Sequence, residues 1–400
     1  MAIDTVAGVV RTHGRERPDA PAIEFEGRTI TFGELDERSS RLANALAAAG
    51  VGPADRVAFL DKNGPEYFET TFALGKLNAV NVALNWRLAP PELAGIINDA
   101  GAKVLIVGRE FVPHVEKIES EIPTVTKIIA IGGHEGWDDY EQTIGGRDAT
   151  DPGIEASGDD VAFQLYTSGT TGLPKGVMIT NSNFFDGAVN VTDSWRFDAN
   201  SVNLAVMPMF HIAGSGWSLV GLVHGCQTVL LRDVDPGRIL ELIPEFGVTN
   251  AFIVPAVIQF LVNTPGVNDV DFSTLRAIVY GASPITDTVL RRAMEVFGCE
   301  FIQVYGLTET TGAITQLDDE FHDPARRPHL LRSCGKPYPW VEIRVVDPES
   351  GTDVQTGQVG ELWTRSRQNM LGYWSNEDAT RAAIDDDGWF RTGEIGRAHV

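Results

Sequence analysis

A segment of eleven residues, 166–176, concentrates groups that bind phosphate. It contains three glycines, four serine or threonine hydroxyls and one lysine. Glycine lets backbone N–H groups approach a ligand closely. Hydroxyls and N–H groups around a concave turn bind phosphate oxygens, and a lysine adds positive charge. Because buried strands are predicted on both sides, at 161–165 and 177–179, the pattern predicts a loop that holds a polyphosphate. Its candidate ligands are Thr167, Ser168, Gly169, Thr170, Thr171, Gly172 and Lys175.

Two other kinds of loop could have a similar composition. The loop of a P-loop NTPase ends in Gly-Lys followed by Ser or Thr, and a helix comes next. Here Pro174 precedes Lys175, Gly176 follows it and a strand comes next, so the spacing disfavours that fold. A glycine-rich hairpin without a ligand is the usual explanation of a short loop, but this segment is long and contains a lysine.

A second candidate group lies at 303–309, at the end of another predicted strand. Tyr305 offers a flat face to a purine, Thr308 offers a hydroxyl to a phosphate, and Glu309 offers a carboxylate. Mg²⁺ prefers one or two carboxylates together with substrate oxygens. Each residue alone is a weak signal, but their combination downstream of the segment 166–176 favours a nucleotide site.

Two further turns follow predicted strands. The first contains Gly281, Ala282 and Ser283, and ligands of open α/β sheets bind at such strand ends. A plain turn between a strand and a helix is the alternative. His211 lies between a strand and a helix, and a single histidine there is more often structural than functional. Trp217, in the helix that follows, is either a core residue or the wall of a pocket.

The elements that would position these residues alternate along the chain. Up to about residue 131, and again from about 202 to 304, short apolar runs alternate with helical patterns. This alternation predicts parallel sheets covered by helices. Beyond about residue 325, short strands separated by turns indicate a smaller β-rich unit. We therefore predict an α/β fold with two parallel-sheet subdomains, at 1–160 and 161–325, and a small β-barrel-like subdomain at 326–400.

Composition disfavours several classes of protein. With 43% hydrophobic and 22% charged residues, the chain is typical of soluble globular proteins. Its net charge of −23 disfavours nonspecific binding to nucleic acid or to an anionic membrane. Three cysteines without a metal-binding spacing argue against a disulfide framework and fit a reducing cytosol. Since neither a signal peptide nor a run of about 18 apolar residues is seen, a cytoplasmic protein without a transmembrane segment is expected.

Together the motifs resemble those of the adenylate-forming superfamily, which holds acyl-CoA synthetases, adenylation domains of peptide synthetases and beetle luciferases. The resemblance runs from about residue 5 to about residue 396, with the motifs in the same order. It implies the fold of the large N-terminal domain of these enzymes. It also implies that the loop at 166–176 binds the phosphates of ATP, and that Gly281, Ala282 and Ser283 form one side of the adenine pocket.

The resemblance further implies roles at the reaction centre. Tyr305 and Gly306 would contact the nucleotide, and Thr308 would contact the α-phosphate. His211 would line or gate the route between the acyl group and the thiol. The metal ligands that the resemblance implies are Thr167 and Glu309. The catalytic residues that it implies are Lys175, His211, Thr308 and Glu309.

One match departs from the family's pattern. The segment 388–394 resembles the one whose carboxylate bonds both ribose hydroxyls, but Glu394 stands where the family usually has Asp. The extra methylene moves the carboxylate by about 1.5 Å. Loss of a charge-assisted hydrogen bond would cost about 1.5–3 kcal/mol, so weaker ATP binding is expected unless a backbone shift restores the contact. The family normally continues into a small C-terminal domain with a lysine that assists adenylation, and this chain is expected to lack that domain.

The motifs and the resemblance predict a carboxylic acid–CoA ligase that uses ATP, Mg²⁺ and coenzyme A. Residues 212–222 and 251–262 are largely apolar, which fits either a pocket for an apolar acid or ordinary core. The chain resembles fatty-acid ligases more than peptide-synthetase domains. The latter usually have an Asp near position 210, and this chain has none there. The expected partners are the acid, ATP and CoA without nucleic acid, and a homodimer is left open. Two alternatives remain, namely a binding module with little turnover and an oxygen-using luciferase.

Overall fold

The computed structural model describes residues 3–167, 174–191, 193–198 and 200–398. The helices are α1 (Val6–Glu16), α2 (Phe32–Ala48), α3 (Pro65–Lys76), α4 (Pro90–Ala100), α5 (Val112–Val115), α6 (Tyr140–Gly145), α7 (Asn181–Phe185), α8 (Ile212–Val223), α9 (Pro236–Phe246), α10 (Pro255–Val262), α11 (Asp287–Phe297) and α12 (Glu377–Ala383). No helix in the described ranges combines the length and the apolar character needed to cross a bilayer.

The strands have the following bounds: β1 (Pro21–Phe25), β2 (Arg28–Thr31), β3 (Arg56–Leu60), β4 (Val80–Ala83), β5 (Val104–Gly108), β6 (Lys127–Ile131), β7 (Asp138–Asp139), β8 (Val161–Thr167), β9 (Lys175–Thr180), β10 (Val202–Ala205), β11 (Gln227–Leu230), β12 (Asn250–Phe252), β13 (Ala277–Gly281), β14 (Glu300–Leu307), β15 (Gly312–Leu317), β16 (Lys336–Pro337), β17 (Glu342–Val346), β18 (Gly360–Arg365), β19 (Gly372–Tyr373) and β20 (Phe390–Gly396).

The first sheet has the strand order β19-β9-β8-β4-β3-β5-β6-β7. Strands β3 and β5 are buried at every position and pair in parallel. Continuous apolar runs of this kind are typical of parallel strands that are covered on both faces. Near one edge of the sheet, β8 and β9 form an antiparallel hairpin in which Thr167 pairs with Lys175. The predicted phosphate loop is therefore flanked by two paired strands, as the sequence indicated.

The second sheet has the strand order β16-β15-β14-β13-β12-β10-β11-β1-β2. Its central strands, from β1 to β14, pair in parallel, whereas β2, β15 and β16 are antiparallel additions at the edges. Helices cover it, and their ends carry the expected signals. In α11, for example, the Thr286 hydroxyl accepts a hydrogen bond from the Val289 N–H, and Gly298 ends the helix with φ 61°.

The third sheet is antiparallel and consists of β17, β18 and β20. Its strands lie close to the segments that the sequence predicted as strands after residue 325. The predicted combination of two parallel α/β sheets with a small β-rich unit is thus confirmed.

The predicted subdomains are consecutive segments of the chain, whereas the first and second sheets each combine strands from distant segments. The hairpin of β1 and β2 joins the second sheet, although it precedes every strand of the first. The hairpin of β8 and β9 belongs to the first sheet, although it lies in the predicted segment 161–325. The boundaries of the subdomains stay a prediction, but the sheets cross the boundary at 160/161.

One apolar cluster joins elements of the first and second sheets. It includes Val9 of α1, Phe72 of α3, Leu204 of β10 and Ile278 of β13, all of which are fully buried. A second cluster packs α4 against the other side of β3 and β5. The shared cluster holds the two sheets against each other, and this fixes the position of the β8–β9 hairpin relative to β14.

Candidate active site

A cavity of about 1100 Å³ lies where the β8–β9 hairpin, the end of β14 and strand β20 meet. We call it the large cavity. Most of the predicted site residues that the structure describes line it: Thr167, Lys175, Ala282, Ser283, Tyr305, Gly306, Thr308, Glu309 and Glu394. Residues from three sheets and from distant parts of the chain therefore come together in one place. Ser168, Gly169, Thr170, Thr171 and Gly172, the predicted ligands at the tip of the hairpin, lie outside the described residues.

The loop end of the β8–β9 hairpin is held by contacts to α4 and to Trp374, the residue after β19. The Tyr166 hydroxyl donates a hydrogen bond of 2.5 Å to Asp99, and the Trp374 indole N–H donates one of 2.9 Å to the Asp99 carbonyl. The Trp374 backbone N–H donates to the Gly176 carbonyl at 2.7 Å. The guanidinium of Arg56 lies 3.4 Å from the centre of the Trp374 ring. These contacts orient Thr167 and Lys175 towards the large cavity.

Oxygen atoms gather around the carboxylate of Glu309. The Thr167 hydroxyl donates to Glu309 Oε1 at 3.4 Å, and the Tyr373 hydroxyl donates to the same oxygen at 3.1 Å. The ammonium of Lys175 lies 4.9 Å from the centre of the Tyr373 ring, a cation–π contact. Burial and then the nearby Glu309 raise the pKa of Tyr373. The Tyr373 side chain therefore contacts both the carboxylate of Glu309 and the ammonium of Lys175.

The turn that carries Thr308 and Glu309 is set by the close approach of β14 and β15. The Thr310 hydroxyl accepts from the Leu307 N–H at 2.8 Å and donates to the Gly312 carbonyl at 2.7 Å. The Gln368 amide donates to the Thr310 carbonyl at 2.8 Å. Sequence analysis missed β15 entirely, because the run 312–317 resembles an ordinary loop exit. Its pairing with β14 is what turns Glu309 towards the hairpin.

Buried polar atoms without partners lie on the side of the large cavity opposite the hairpin. Within the described residues, Tyr305 Oη and Gln303 Oε1 are buried and make no hydrogen bond. Burial and then Glu394 raise the pKa of Tyr305. Ala282 has a φ of 64°, a left-handed conformation that a residue with a Cβ rarely adopts. Unpaired polar atoms and local backbone strain of this kind are concentrated at ligand sites.

A buried histidine next to the large cavity is held in one neutral tautomer by two hydrogen bonds. His322 is 3% exposed, and its Nδ1 lies 3.0 Å from the Asp318 carbonyl. Since a carbonyl only accepts, Nδ1 carries the proton and Nε2 accepts from the Tyr280 hydroxyl at 2.9 Å. Tyr280 in turn lines the large cavity. Burial lowers the pKa of His322, because the charged form would lose its hydration.

This arrangement predicts a loss of stability in acid. The unfolded chain binds a proton at this histidine near pH 6.5, roughly its ordinary pKa, whereas the folded chain resists protonation there. The unfolded state therefore gains protons first as the pH falls, and the free energy of unfolding decreases below about pH 6.5. We expect the melting temperature to fall between about pH 7.5 and about pH 5.5, and to fall less in His322→Gln. The matched control is His329→Gln at an exposed histidine, and equal slopes in all three proteins would contradict the prediction.

Glu394, the residue that replaces the usual Asp, is exposed at the rim of the large cavity. Its backbone N–H donates to the Thr392 hydroxyl at 3.0 Å, and the neighbouring Gly393 N–H donates to Glu361 at 2.9 Å. These hydrogen bonds fix the part of β20 from which the Glu394 carboxylate lines the cavity. A hydrogen bond between the Glu394 carboxylate and the ribose hydroxyls remains a prediction.

Two predicted residues do not line the large cavity. Gly281 is buried at the end of β13, where a Cβ atom would lie 2.2 Å from the Val304 carbonyl. It therefore allows β13 and β14 to approach each other. His211 precedes α8, with its ring centre 4.3 Å from that of Phe210. Partial desolvation and then the charge of Arg87 lower the pKa of His211.

A second, smaller cavity adjoins the large one. Its volume is about 90 Å³, its walls are mostly apolar, and it shares Ala282, Val304 and Gly306 with the large cavity. We call it the small cavity. Trp217 is one of its walls and is also part of the apolar core, so both explanations of this residue hold.

Several residues of the site escaped sequence analysis. Cys334, Glu361 and Tyr373 lie outside the predicted motifs, whereas Gln303 and Arg391 lie inside the segments 303–309 and 388–394 without a predicted role. All five line the large cavity. Tyr373 reaches Glu309 because β19 pairs with β9, about 200 residues earlier in the chain. No local pattern around Tyr373 indicates this pairing. Cys334 is exposed and lines the cavity.

The sequence and the fold both match known proteins. Residues 10–374 match the AMP-binding enzyme family. The fatty acid–(acyl-carrier-protein) ligase ScoC of Streptomyces coeruleorubidus is 37% identical over 399 residues, which are 98% of this chain and 75% of that protein. A feruloyl-CoA synthase of an Amycolatopsis species is 35% identical over 385 residues, which are 95% of this chain and 74% of that protein.

Among solved structures, the inhibitor-bound N-terminal domain of FACL13 from Mycobacterium tuberculosis matches with a TM-score of 0.90 and 29% identity. The match covers 98% of this chain and 96% of that one. The resemblance to adenylate-forming ligases that the motifs indicated is confirmed. The chain belongs to the AMP-binding enzyme family.

Proposed function

We propose that this chain is an ATP-dependent ligase that activates an apolar carboxylic acid as acyl-AMP and passes the acyl group to the thiol of coenzyme A. One observation carries the proposal: the large and small cavities share Ala282, Val304 and Gly306. A nucleotide in the large cavity and an apolar group in the small one would therefore meet at these residues. The names of the relatives, all acid–thiol ligases, support the same reaction.

The first step needs alignment and charge neutralisation rather than a base. A carboxylic acid is ionised at neutral pH, since its pKa lies near 4. Its oxygen attacks the α-phosphorus of ATP, a new O–P bond forms, and the bond to pyrophosphate breaks. Lys175 and Thr308 supply a positive charge and a hydrogen-bond donor inside the large cavity, where charge develops on the phosphates. In the second step the CoA thiolate attacks the acyl carbon and AMP leaves.

The oxygen donors beside Glu309 suit Mg²⁺. The set comprises one carboxylate and the hydroxyl of Thr167, within a group of hard oxygens. Within the described residues no cluster of three or more His, Cys, Asp or Glu side chains forms an all-protein metal cage. Mg²⁺ rarely uses such a cage and instead takes one or two carboxylates plus phosphate oxygens and water. We propose Glu309 and Thr167 as its ligands, and the bound ion would neutralise phosphate charge.

The proposed function is tested by measuring pyrophosphate release that depends on the carboxylic acid substrate. With ATP, Mg²⁺ and an apolar acid, we expect pyrophosphate release, and we expect thioester formation when CoA is added. Excess EDTA should stop the release and weaken ATP binding measured by calorimetry, and added Mg²⁺ should restore both. ATP binding without pyrophosphate release for any acid would instead favour the alternative of a binding module.

The acceptor thiol has a second candidate. ScoC is named as a ligase of a fatty acid and an acyl-carrier protein. The thiol of an acyl-carrier protein is therefore a second candidate acceptor, in addition to that of CoA. Offering both acceptors in the same assay distinguishes them, because each thioester product has a different mass. The homodimer and the cytoplasmic location stay predictions.

A further inference from the structure

The small cavity has room for only a short or compact group. An apolar cavity of about 150 Å³ binds benzene. The small cavity, with a volume of about 90 Å³, is smaller than that. A single aromatic ring or a chain of similar length is therefore the largest group that this space accommodates. A long acyl chain with more than a dozen carbons does not fit it.

Three aromatic residues form one side of the small cavity. Trp195, Trp217 and Phe252 all line it and are 7%, 4% and 7% exposed. The ring centres of Trp195 and Trp217 are 5.4 Å apart, and those of Trp217 and Phe252 are 5.9 Å apart. We call these three residues the aromatic wall. Neighbouring rings of the aromatic wall are therefore in contact with each other on this side of the cavity.

Hydrogen bonds hold the aromatic wall in place. The Trp217 indole N–H donates to the Leu204 carbonyl of β10 at 3.0 Å. The Trp195 indole N–H lies 3.1 Å from Gln316 Oε1 and 3.2 Å from the Tyr338 hydroxyl oxygen. Turning either indole away would leave a buried donor or acceptor unpaired, which costs about 1–3 kcal/mol. The wall is therefore rigid compared with a lining of flexible aliphatic side chains.

The aromatic wall is also backed by packed side chains. The ring of Phe197 lies 5.2 Å from that of Trp217 on a side that does not line the cavity. Gln316 and Tyr338, which support Trp195, are buried as well and do not line it. Displacing the wall would disturb this second layer, so extending the cavity by pushing one ring aside would cost free energy.

We infer that the acid activated by this chain is compact, with a single ring or a short chain beyond its carboxylate, and that Trp195, Trp217 and Phe252 set this limit. The inference rests on the proposed function, because it concerns the same reaction. It separates this chain from ligases of long-chain fatty acids, to which its sequence is also similar.

A series of acids tests the inference with the natural chain. The measured quantity is kcat/KM for ATP-dependent pyrophosphate release with acetate, hexanoate, octanoate, benzoate, dodecanoate and hexadecanoate. One methylene in a hydrophobic pocket changes kcat/KM by about 10- to 200-fold. We therefore expect a maximum among hexanoate, octanoate and benzoate, and values at least about 10-fold lower for dodecanoate and hexadecanoate. Equal or higher values for the two long acids would overturn the inference and leave the proposed function intact. Failure of every acid would overturn both.

Variants of the cavity lining identify the residues that set the limit. Trp217→Phe removes part of the wall, so the ratio of kcat/KM for dodecanoate to that for octanoate should rise about 10-fold. The matched control, Trp137→Phe, makes the same change at a tryptophan that lines neither cavity, and it should leave the ratio unchanged. If Trp217→Phe does not fold, Val220→Ala widens the same cavity without removing a hydrogen-bond donor, and the ratio should rise in the same direction. An unchanged ratio in the folded variants would show that the wall does not set the limit.

Discussion

Replacing Glu309 by Gln should lower kcat/KM for acid-dependent pyrophosphate release by about 100- to 1000-fold. Gln has nearly the same shape as Glu but no charge, so the variant keeps the hydrogen bonds from Thr167 and Tyr373 and loses the attraction for Mg²⁺. The carboxylate accepts from Tyr373, whose ring also contacts the Lys175 ammonium, so both charges line the part of the cavity where charge on the phosphates must be neutralised. The Mg²⁺ concentration needed for half-maximal activity should rise together with the loss of rate.

The matched comparison is Tyr373→Phe, which removes one hydrogen bond to Glu309 and keeps its charge. Loss of a hydrogen bond to a charged group costs about 1.5–3 kcal/mol, so kcat/KM should decrease by about 10- to 150-fold at most, while the Mg²⁺ concentration needed for half-maximal activity should stay the same because the charge is kept. Both variants should melt within a few degrees of the natural chain, since Glu309 is only half-buried. An E309Q variant that keeps both its rate and its Mg²⁺ dependence would show that this carboxylate does not hold the metal.

Replacing Gly306 by Ala should disrupt the same turn from the backbone. A Cβ atom at position 306 would lie 1.8 Å from the Gly312 carbonyl oxygen, which belongs to the neighbouring strand β15. Strands β14 and β15 would have to separate, and overpacking of this kind costs about 1–3 kcal/mol. Because Thr308 and Glu309 follow directly, a displacement of about 1 Å should also lower kcat/KM by about 100-fold.

Denaturant unfolding and the pyrophosphate assay measure the two effects of Gly306→Ala. The matched control is Gly95→Ala, because Gly95 lies inside α4 and a Cβ atom there meets nothing within 4 Å. That change should stabilise the chain by about 0.5–1 kcal/mol, since alanine loses less entropy in a helix than glycine. If both variants had the same stability and activity, the close approach of β14 and β15 would be irrelevant to the site.

The sequence predicted the parts of the site that depend on neighbours in the chain. Glycines, hydroxyls and a lysine close together indicated the phosphate loop, and the strand ends before Ala282 and Tyr305 indicated the other side of the nucleotide site. These signals are local, because backbone conformation and burial depend mainly on residue type and on periods of two or about four residues. The alternation of strands and helices predicted the α/β class for the same reason.

Other features depended on contacts between distant segments. The hairpin of β1 and β2 pairs with β11, about 200 residues away, and Tyr373 reaches Glu309 through the pairing of β19 with β9. His211 has a promising sequence context but lines neither cavity. Strand pairing over such distances is decided by how complete sheets pack, and no short window of sequence contains that information.

What the sequence determined by itself is therefore the family, the fold class and the candidate site residues that line the large cavity. The tertiary structure decided which of these residues meet and how much space lies between them. Trp217 illustrates the difference, since the sequence left it either in the core or in a pocket wall. Its packing against Trp195 and Phe252 makes it both. The volume of a cavity depends on the exact positions of all its walls, because interiors are close-packed and a single ring decides whether space remains.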